Sequence, residues 1–214
     1  MRKVDLIFFT ILAIAAELIT SISFAKLNSG FYFSFAMLIY IIYSLRWGKI
    51  AIVSLILSGI PLVFVQPIGQ IASLDIWKGI LYYMLSNVFA VLPIAVYGNR
   101  NRNKIIESPF LLFLYVLLVF ICVSIGKEIA LLIINNDPLG GVKYFVSQIF
   151  TLILSILILY ILCRLKTKLV CDMNEYIKEE QEQEDYVEKI LEKGESESDE
   201  RNKDENGENQ EHFA

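Results

Sequence analysis

An all-α integral membrane protein is the fold class this chain predicts, and three observations predict it. Of its 214 residues, 56% are hydrophobic, above the roughly 45–50% usual in a soluble domain, and the mean hydropathy is +0.55. Six apolar runs, near residues 4–24, 31–45, 50–66, 76–97, 110–134 and 142–163, approach the roughly 20 residues a helix needs to cross the hydrocarbon. Lys and Arg crowd alternate connections: ten (Arg2, Lys3, Arg46, Lys49, Arg100, Arg102, Lys104, Arg164, Lys166, Lys168) against three (Lys26, Lys78, Lys143) on the other side. That asymmetry predicts a six-span helical bundle in the cell membrane with both termini cytoplasmic.

The first run opens with Arg2 and Lys3 and is interrupted by Glu17. "MRK", an apolar stretch and "SFA" before Lys26 also loosely match a secretory signal peptide, but the apolar stretch is long for one. An uncleaved first span is the expectation. The second run, "FYFSFAMLIYIIYSL", is short, and a cytosolic turn at Arg46, Trp47 and Gly48 separates it from the third. The third contains Pro61 and ends at "VQPIGQ", which predicts a broken or re-entrant outer end. The fourth carries Asn87, the fifth "CVSIGKEIALLII", and the sixth Gln148.

Charge divides the chain in two. Residues 1–168 carry fourteen basic and six acidic side chains, a net of +8; residues 169–214 carry five and seventeen, a net of −12. Residues 1–168 form the membrane domain, 169–193 a predicted cytosolic helical extension, and 194–214 an acidic tail too polar to fold. Such a tail is repelled by nucleic acid and by anionic lipid. It is a solvated appendage or a contact for a basic cytosolic partner.

The polar residues within the runs need an explanation, because a charge at the bilayer centre costs about 2.5 kcal/mol or more. Glu17, Lys127, Glu128 and Gln148 each stand six or seven residues from the outer end of a run, roughly 10 Å deep at 1.5 Å per residue. Asn87 lies near the middle of the fourth. A shared depth predicts that these groups meet inside the bundle, beneath outer loops that add Gln66, Gln70, Asp75, Trp77, Asn135, Asn136 and Asp137. Amides, carboxylates and an indole around a cleft suit a small polar solute. Two readings stand: an outward-facing solute pocket, or a structural ion pair with no ligand.

Other chemistries find little support. Cys122, Cys163 and Cys171 have no metal-ligand spacing, and His212 stands alone in the polar tail. No cofactor, metal site, catalytic pair or phosphate-binding glycine loop is expected, so the chain is not predicted to be an enzyme. Thr10, Ala13, Ala16 and Thr20 recur at helical spacing on the first run, a small-residue face that packs within the bundle or docks a partner subunit.

The block "SGFYFSFAMLIYIIYSLRWGKIAIVSLILSGIP" and six short spans in fewer than 180 residues resemble the substrate-binding (S) components of energy-coupling-factor (ECF) transporters. The likeness runs from Val4 to Lys168 and is nearest a firmicute-type group. The resemblance implies capture of a micronutrient-like solute from outside, with uptake driven by a transmembrane T subunit and two cytosolic ATPases. It also implies T-subunit docking by two alanines four apart on the first span. This chain departs from that pattern: Glu17 follows Ala13 at that spacing, leaving Ala16 and Thr20 as the nearest equivalents. The alternative is a non-transporting scaffold of the cell-envelope type that acts through its acidic tail.

Overall fold

The computed structural model describes residues 2–27, 33–65, 75–97, 102–134 and 140–165, and further on 170, 173, 176–178, 180–183, 186–187 and 189–190. Among these residues the regular structure is helical throughout, with no strand. Four stretches, Lys3–Ile22, Phe35–Phe64, Ile76–Tyr97 and Pro109–Ile134, are long and apolar enough to cross a membrane, and Ile149–Arg164 is a shorter apolar helix. By length and composition they mark a membrane protein. The chain forms two compact units, Met1–Asp172 and Met173–Ala214.

Helix α1 (Arg2–Leu27) divides its surface by helical period. Phe9, Ala13, Glu17 and Thr20 are buried, while Val4, Ile7, Phe8, Ile11 and Ile19 are exposed. An outward face this apolar is suited to lipid rather than water. The small-residue face is therefore turned inward. Ala13 is 0% exposed, α1 packs against the helices of residues 35–65, and the Thr20 hydroxyl donates to the Ala16 carbonyl at 3.0 Å. Of the residues offered for packing or for docking, Ala13 and Thr20 lie within the bundle, and Ala16 is half-buried.

Helix α2 (Phe35–Trp47) is capped by Ser34, whose Oγ accepts from the Met37 N–H at 3.4 Å. It ends at Gly48, whose φ of 72° is a left-handed conformation that favours glycine. A 3₁₀ turn (Gly48–Ala51) leads into α3 (Ile52–Ser58). Ser34 and Ser58 line the same cavity, whereas a straight helix would hold them roughly 36 Å apart. The chain therefore folds back near Gly48, so Phe35–Phe64 is not one straight helix. Asp5 Oδ2 holds this turn by accepting from Arg46 Nε and Trp47 Nε1, each at 2.8 Å. Arg102 Nη1 donates to the Arg46 carbonyl at 3.2 Å.

The helix breaks at Gly59 before α4 (Ile60–Val65). Pro61 has no N–H to offer the preceding turn, which accounts for this break; the outer end at "VQPIGQ", where the sequence predicts a broken or re-entrant segment, runs beyond the described residues. Residues 66–74, with Gln66 and Gln70, lie outside the described residues.

The fourth run is the least regular. A short α5 (Ile76–Gly79) passes into a π-helical turn (Ile80–Met84), a 3₁₀ segment (Leu85–Ala90) and α6 (Val91–Tyr97). This departure from the i→i−4 ladder leaves carbonyls open to other donors. Gly59 and Gly126 press against this segment: a Cβ on the first would overlap the Tyr83 carbonyl, and on the second the Ser86 carbonyl. Helix α7 (Arg102–Glu107) precedes α8 (Pro109–Ile134), capped by Ser108 with Pro109 in the first turn. After α8 come α9 (Gly140–Ser147) and α10 (Ile149–Arg164), joined at Gln148.

Toward the end of the bundle that holds Gly48, the interior carries polar side-chain contacts. Ser44 Oγ and Tyr115 Oη share a 2.6 Å hydrogen bond, and Tyr40 Oη donates to the Ala90 carbonyl at 2.6 Å. In the second unit, residues 176–178, 180–183, 186–187 and 189–190 are helical. Residues 191–214, with the expected tail, lie outside the described residues.

Candidate functional site

Lys127 sits two-thirds of the way along α8 and is 3% exposed. Its ammonium donates to the Tyr82 carbonyl at 2.7 Å and to Ser86 Oγ at 3.2 Å. Three rings surround it, with centroids at 4.5 Å (Tyr82), 5.0 Å (Tyr144) and 5.6 Å (Tyr83). The Tyr82 carbonyl is available because the π-helical turn displaces the ladder there, and it also accepts from Ser86 Oγ. A hydrogen bond from a charged donor contributes about 1.5–3 kcal/mol, and each desolvated cation–π contact up to about 2 kcal/mol. Together they exceed the insertion cost of the charge. Lys127 does not reach outward to water; the bundle interior holds it.

Glu17 of α1 is 2% exposed. Its Oε2 accepts from Ser34 Oγ at 2.9 Å, so the residue that caps α2 also binds the carboxylate. The Ser34 backbone N–H donates to Thr151 Oγ1 at 3.1 Å, which brings α10 into the same cluster. Glu17 acts electrostatically on both Lys127 and Tyr144. Asn87 lends its amide to two carbonyls, Tyr83 at 2.9 Å and Leu55 at 3.2 Å. It joins the irregular fourth run to α3.

These groups converge on one cavity of about 20 Å³. Its polar wall is Glu17, Ser34, Ser58, Asn87, Lys127 and Tyr144; Met37, Leu55 and Leu62 complete it. This volume holds about one water. The expectation that Glu17, Asn87 and Lys127 meet is met in this geometry. Gln148 does not line the cavity, but its backbone N–H bonds to the Tyr144 carbonyl, one turn away on the same face. It is 0% exposed, and neither amide atom has a hydrogen-bond partner.

Glu128, Asp75 and Trp77 do not line this cavity. Glu128 follows Lys127 by one residue, about 100° around the helix, and is half-buried outside the cavity wall. Asp75 is exposed and pairs at 3.3 Å with Lys78, which also lies 5.5 Å from the exposed Trp77 ring. Both belong to the surface at the start of α5. Asn136, with Asn135 and Asp137, lies outside the described residues.

Sequence reasoning missed Ser34, Ser58, Ser86 and the three tyrosines. Tyrosine counts as apolar in a hydropathy scan, so "LYYM" reads as plain span. Its signal was the pairing of Tyr82 and Tyr83 with Asn87 and Ser86 in one run. Among the described residues no group of His, Cys, Asp and Glu is arranged to hold a metal ion.

Comparison with protein families, with curated proteins and with solved structures finds no match.

Proposed function

We propose that the chain is a membrane-embedded binding subunit that captures a small polar solute from the outer side, between Glu17 and Lys127. The observation that carries this reading is the convergence of four parts of the bundle on one polar cavity. Glu17, Asn87, Lys127 and Tyr144 come from α1, the fourth run, α8 and α9, and each is buried. An ion pair serving packing alone needs no carbonyl-exposing break in a neighbouring helix. Irregular backbone at membrane depth is tolerated where it lines a cavity, and it marks binding sites in transporters.

The distribution of Lys and Arg puts both termini in the cytoplasm, so the six-pass reading directs the cavity toward the outside. The 20 Å³ cavity is far below the roughly 300–1,000 Å³ of a drug-sized site. The structure therefore corresponds to a closed state of the proposed binder, and admission of a solute requires its wall to part. Uptake would be driven by partners, for which the ECF resemblance suggests a T subunit and two cytosolic ATPases.

A pull-down of the tagged chain from its native membrane in mild detergent, followed by mass spectrometry, tests this assignment. Recovery of a T subunit with two ATPases is the expected result, and it should persist when residues after Lys168 are deleted. Recovery instead of cell-envelope proteins, lost on that deletion, would establish the scaffold alternative.

A further inference from the structure

In a closed binder, admission of a solute requires one part of the cavity wall to move. Resting on the binding reading just given, we infer that the moving part is α9, which swings about Gln148 as a gate and carries Tyr144 off Lys127. This follows from how firmly each wall is tied to the rest of the bundle.

Most of the wall is fastened by hydrogen bonds between elements. Helix α1 is held at two levels, by Asp5 to Arg46 and Trp47 and by Glu17 to Ser34. Ser34, at the start of α2, is bonded in turn to Thr151 of α10. Helix α3 is tied to the fourth run by Asn87, which donates to the Leu55 carbonyl. The fourth run is tied to α8 by Lys127, through the Tyr82 carbonyl and Ser86. Glycines close both seams: a Cβ at Gly59 would overlap the Tyr83 carbonyl, and one at Gly126 the Ser86 carbonyl. Close-packed surfaces of this kind transmit movement rather than absorb it.

Helix α9 is held differently. It has eight residues, opens on Gly140 and Gly141, and ends at the break before α10. Glycine is the poorest helix former after proline, and two turns of helix have little stability of their own. Helix α9 packs chiefly on α8. It joins the cavity through one side chain, Tyr144, whose ring centroid is 5.0 Å from the Lys127 ammonium. At Gln148 (φ −94°, ψ 4°) the backbone N–H is shared between the Tyr144 and Phe145 carbonyls, each at 3.1 Å. The ladder resumes with the Leu152 N–H on the Gln148 carbonyl at 2.9 Å. A few dihedral angles at such a joint suffice to redirect α9 while α10 stays in place.

The Gln148 side chain points to the same joint independently. It is 0% exposed, and both of its amide atoms lack a hydrogen-bond partner. Burying an amide unpaired penalises the state that buries it. Lifting α9 admits water to the joint and relieves that penalty, so Gln148 biases the helix toward opening. Ser155, two turns further along the same face, is likewise buried and unpartnered. It lies within unbroken α10 and provides the control.

Trapping of a cysteine in the wall tests this on the full chain in lipid nanodiscs. Ser58→Cys changes one atom of a buried wall residue, in a background carrying Cys122→Ala, Cys163→Ala and Cys171→Ala. A small charged methanethiosulfonate reagent reaches that thiol only when the cavity opens. The thiol should react slowly, Gln148→Leu should slow it at least tenfold, and Ser155→Ala should leave the rate unchanged. An unaltered rate in Gln148→Leu, an equal change in Ser155→Ala, or a thiol that reacts only after denaturation would overturn the gate. Hydrogen exchange of the wild type needs no variant: the α9 amides should exchange at least tenfold faster than those of α8 around Lys127, and equal protection would overturn the gate as well. Trapping needs no solute, so the two readings fail separately. A solute that binds while the rate ignores Gln148→Leu would overturn the gate alone. A gate that opens as expected onto a cavity that no component of the extracellular medium occupies would uphold the gate and overturn the binder.

Discussion

Removing one member of a buried charge pair leaves the other uncompensated, so Glu17 and Lys127 should be worth less separately than together. Lys127→Met strands a carboxylate that is 2% exposed and retains the Ser34 hydroxyl; breaking a buried pair in this way costs about 3–5 kcal/mol. Glu17→Gln strands the ammonium, which still has the Tyr82 carbonyl, Ser86 and three rings. Its cost should fall at or below the lower end of that range, about 3 kcal/mol. The double variant has no buried charge at this site and should lie within about 1–2 kcal/mol of wild type, since neutral groups of similar volume often replace a buried pair with little loss. At about 3 kcal/mol for each single loss and about 2 kcal/mol for the double, the cycle yields a coupling of about 4 kcal/mol, above the range usual for coupled residues. Thermal unfolding in nanodiscs, followed through Trp47 and Trp77, would read it at about 2–4 °C per kcal/mol for a chain of this length. Additive single losses would refute the reasoning, because they would mean that the two charges do not act on each other.

Other consequences follow from the same geometry. Gly126→Ala, whose Cβ overlaps the Ser86 carbonyl, should lower stability by about 1–3 kcal/mol; an unchanged melting temperature would show that the fourth run yields freely. Asn87→Asp keeps the size but cannot donate to Leu55 and Tyr83, so it should be no less damaging than Asn87→Leu in the same assay, at about 1–2 kcal/mol each. Asp5→Ala removes the acceptor shared by Arg46 and Trp47 and should cost about 1–3 kcal/mol, with a shift in Trp47 fluorescence as its indole loses a partner. Cysteines introduced into the tail should resist a membrane-impermeant thiol reagent on intact cells, as two cytoplasmic termini require.

What was legible in the sequence had strong one-dimensional signals. The apolar runs and the charged loops defined the helices, and Gly48 beside Arg46 and Trp47 marked a reversal that length and hydropathy alone pass over. Depth counted from the outer ends brought Glu17 and Lys127 together correctly, because rise per residue is nearly constant along a helix. Rotation about each helix was not accessible in that way. Glu128 shares the depth of Lys127 but points about 100° away, and the first-span small residues turned out to face inward. The backbone was harder still. No residue pattern in "ILYYMLSNVFA" announces a π turn followed by a 3₁₀ segment, yet that irregularity supplies the carbonyl that holds Lys127.

Native mass spectrometry of the protein purified gently from its own membrane addresses the central claim most directly. The wild type, incubated with the extracellular medium, should carry a small-molecule adduct. The Glu17→Gln/Lys127→Met double variant, which the cycle above expects to remain folded, should carry none. A wild type without an adduct, or an adduct that survives in the double variant, would contradict the assignment of solute binding to this cavity.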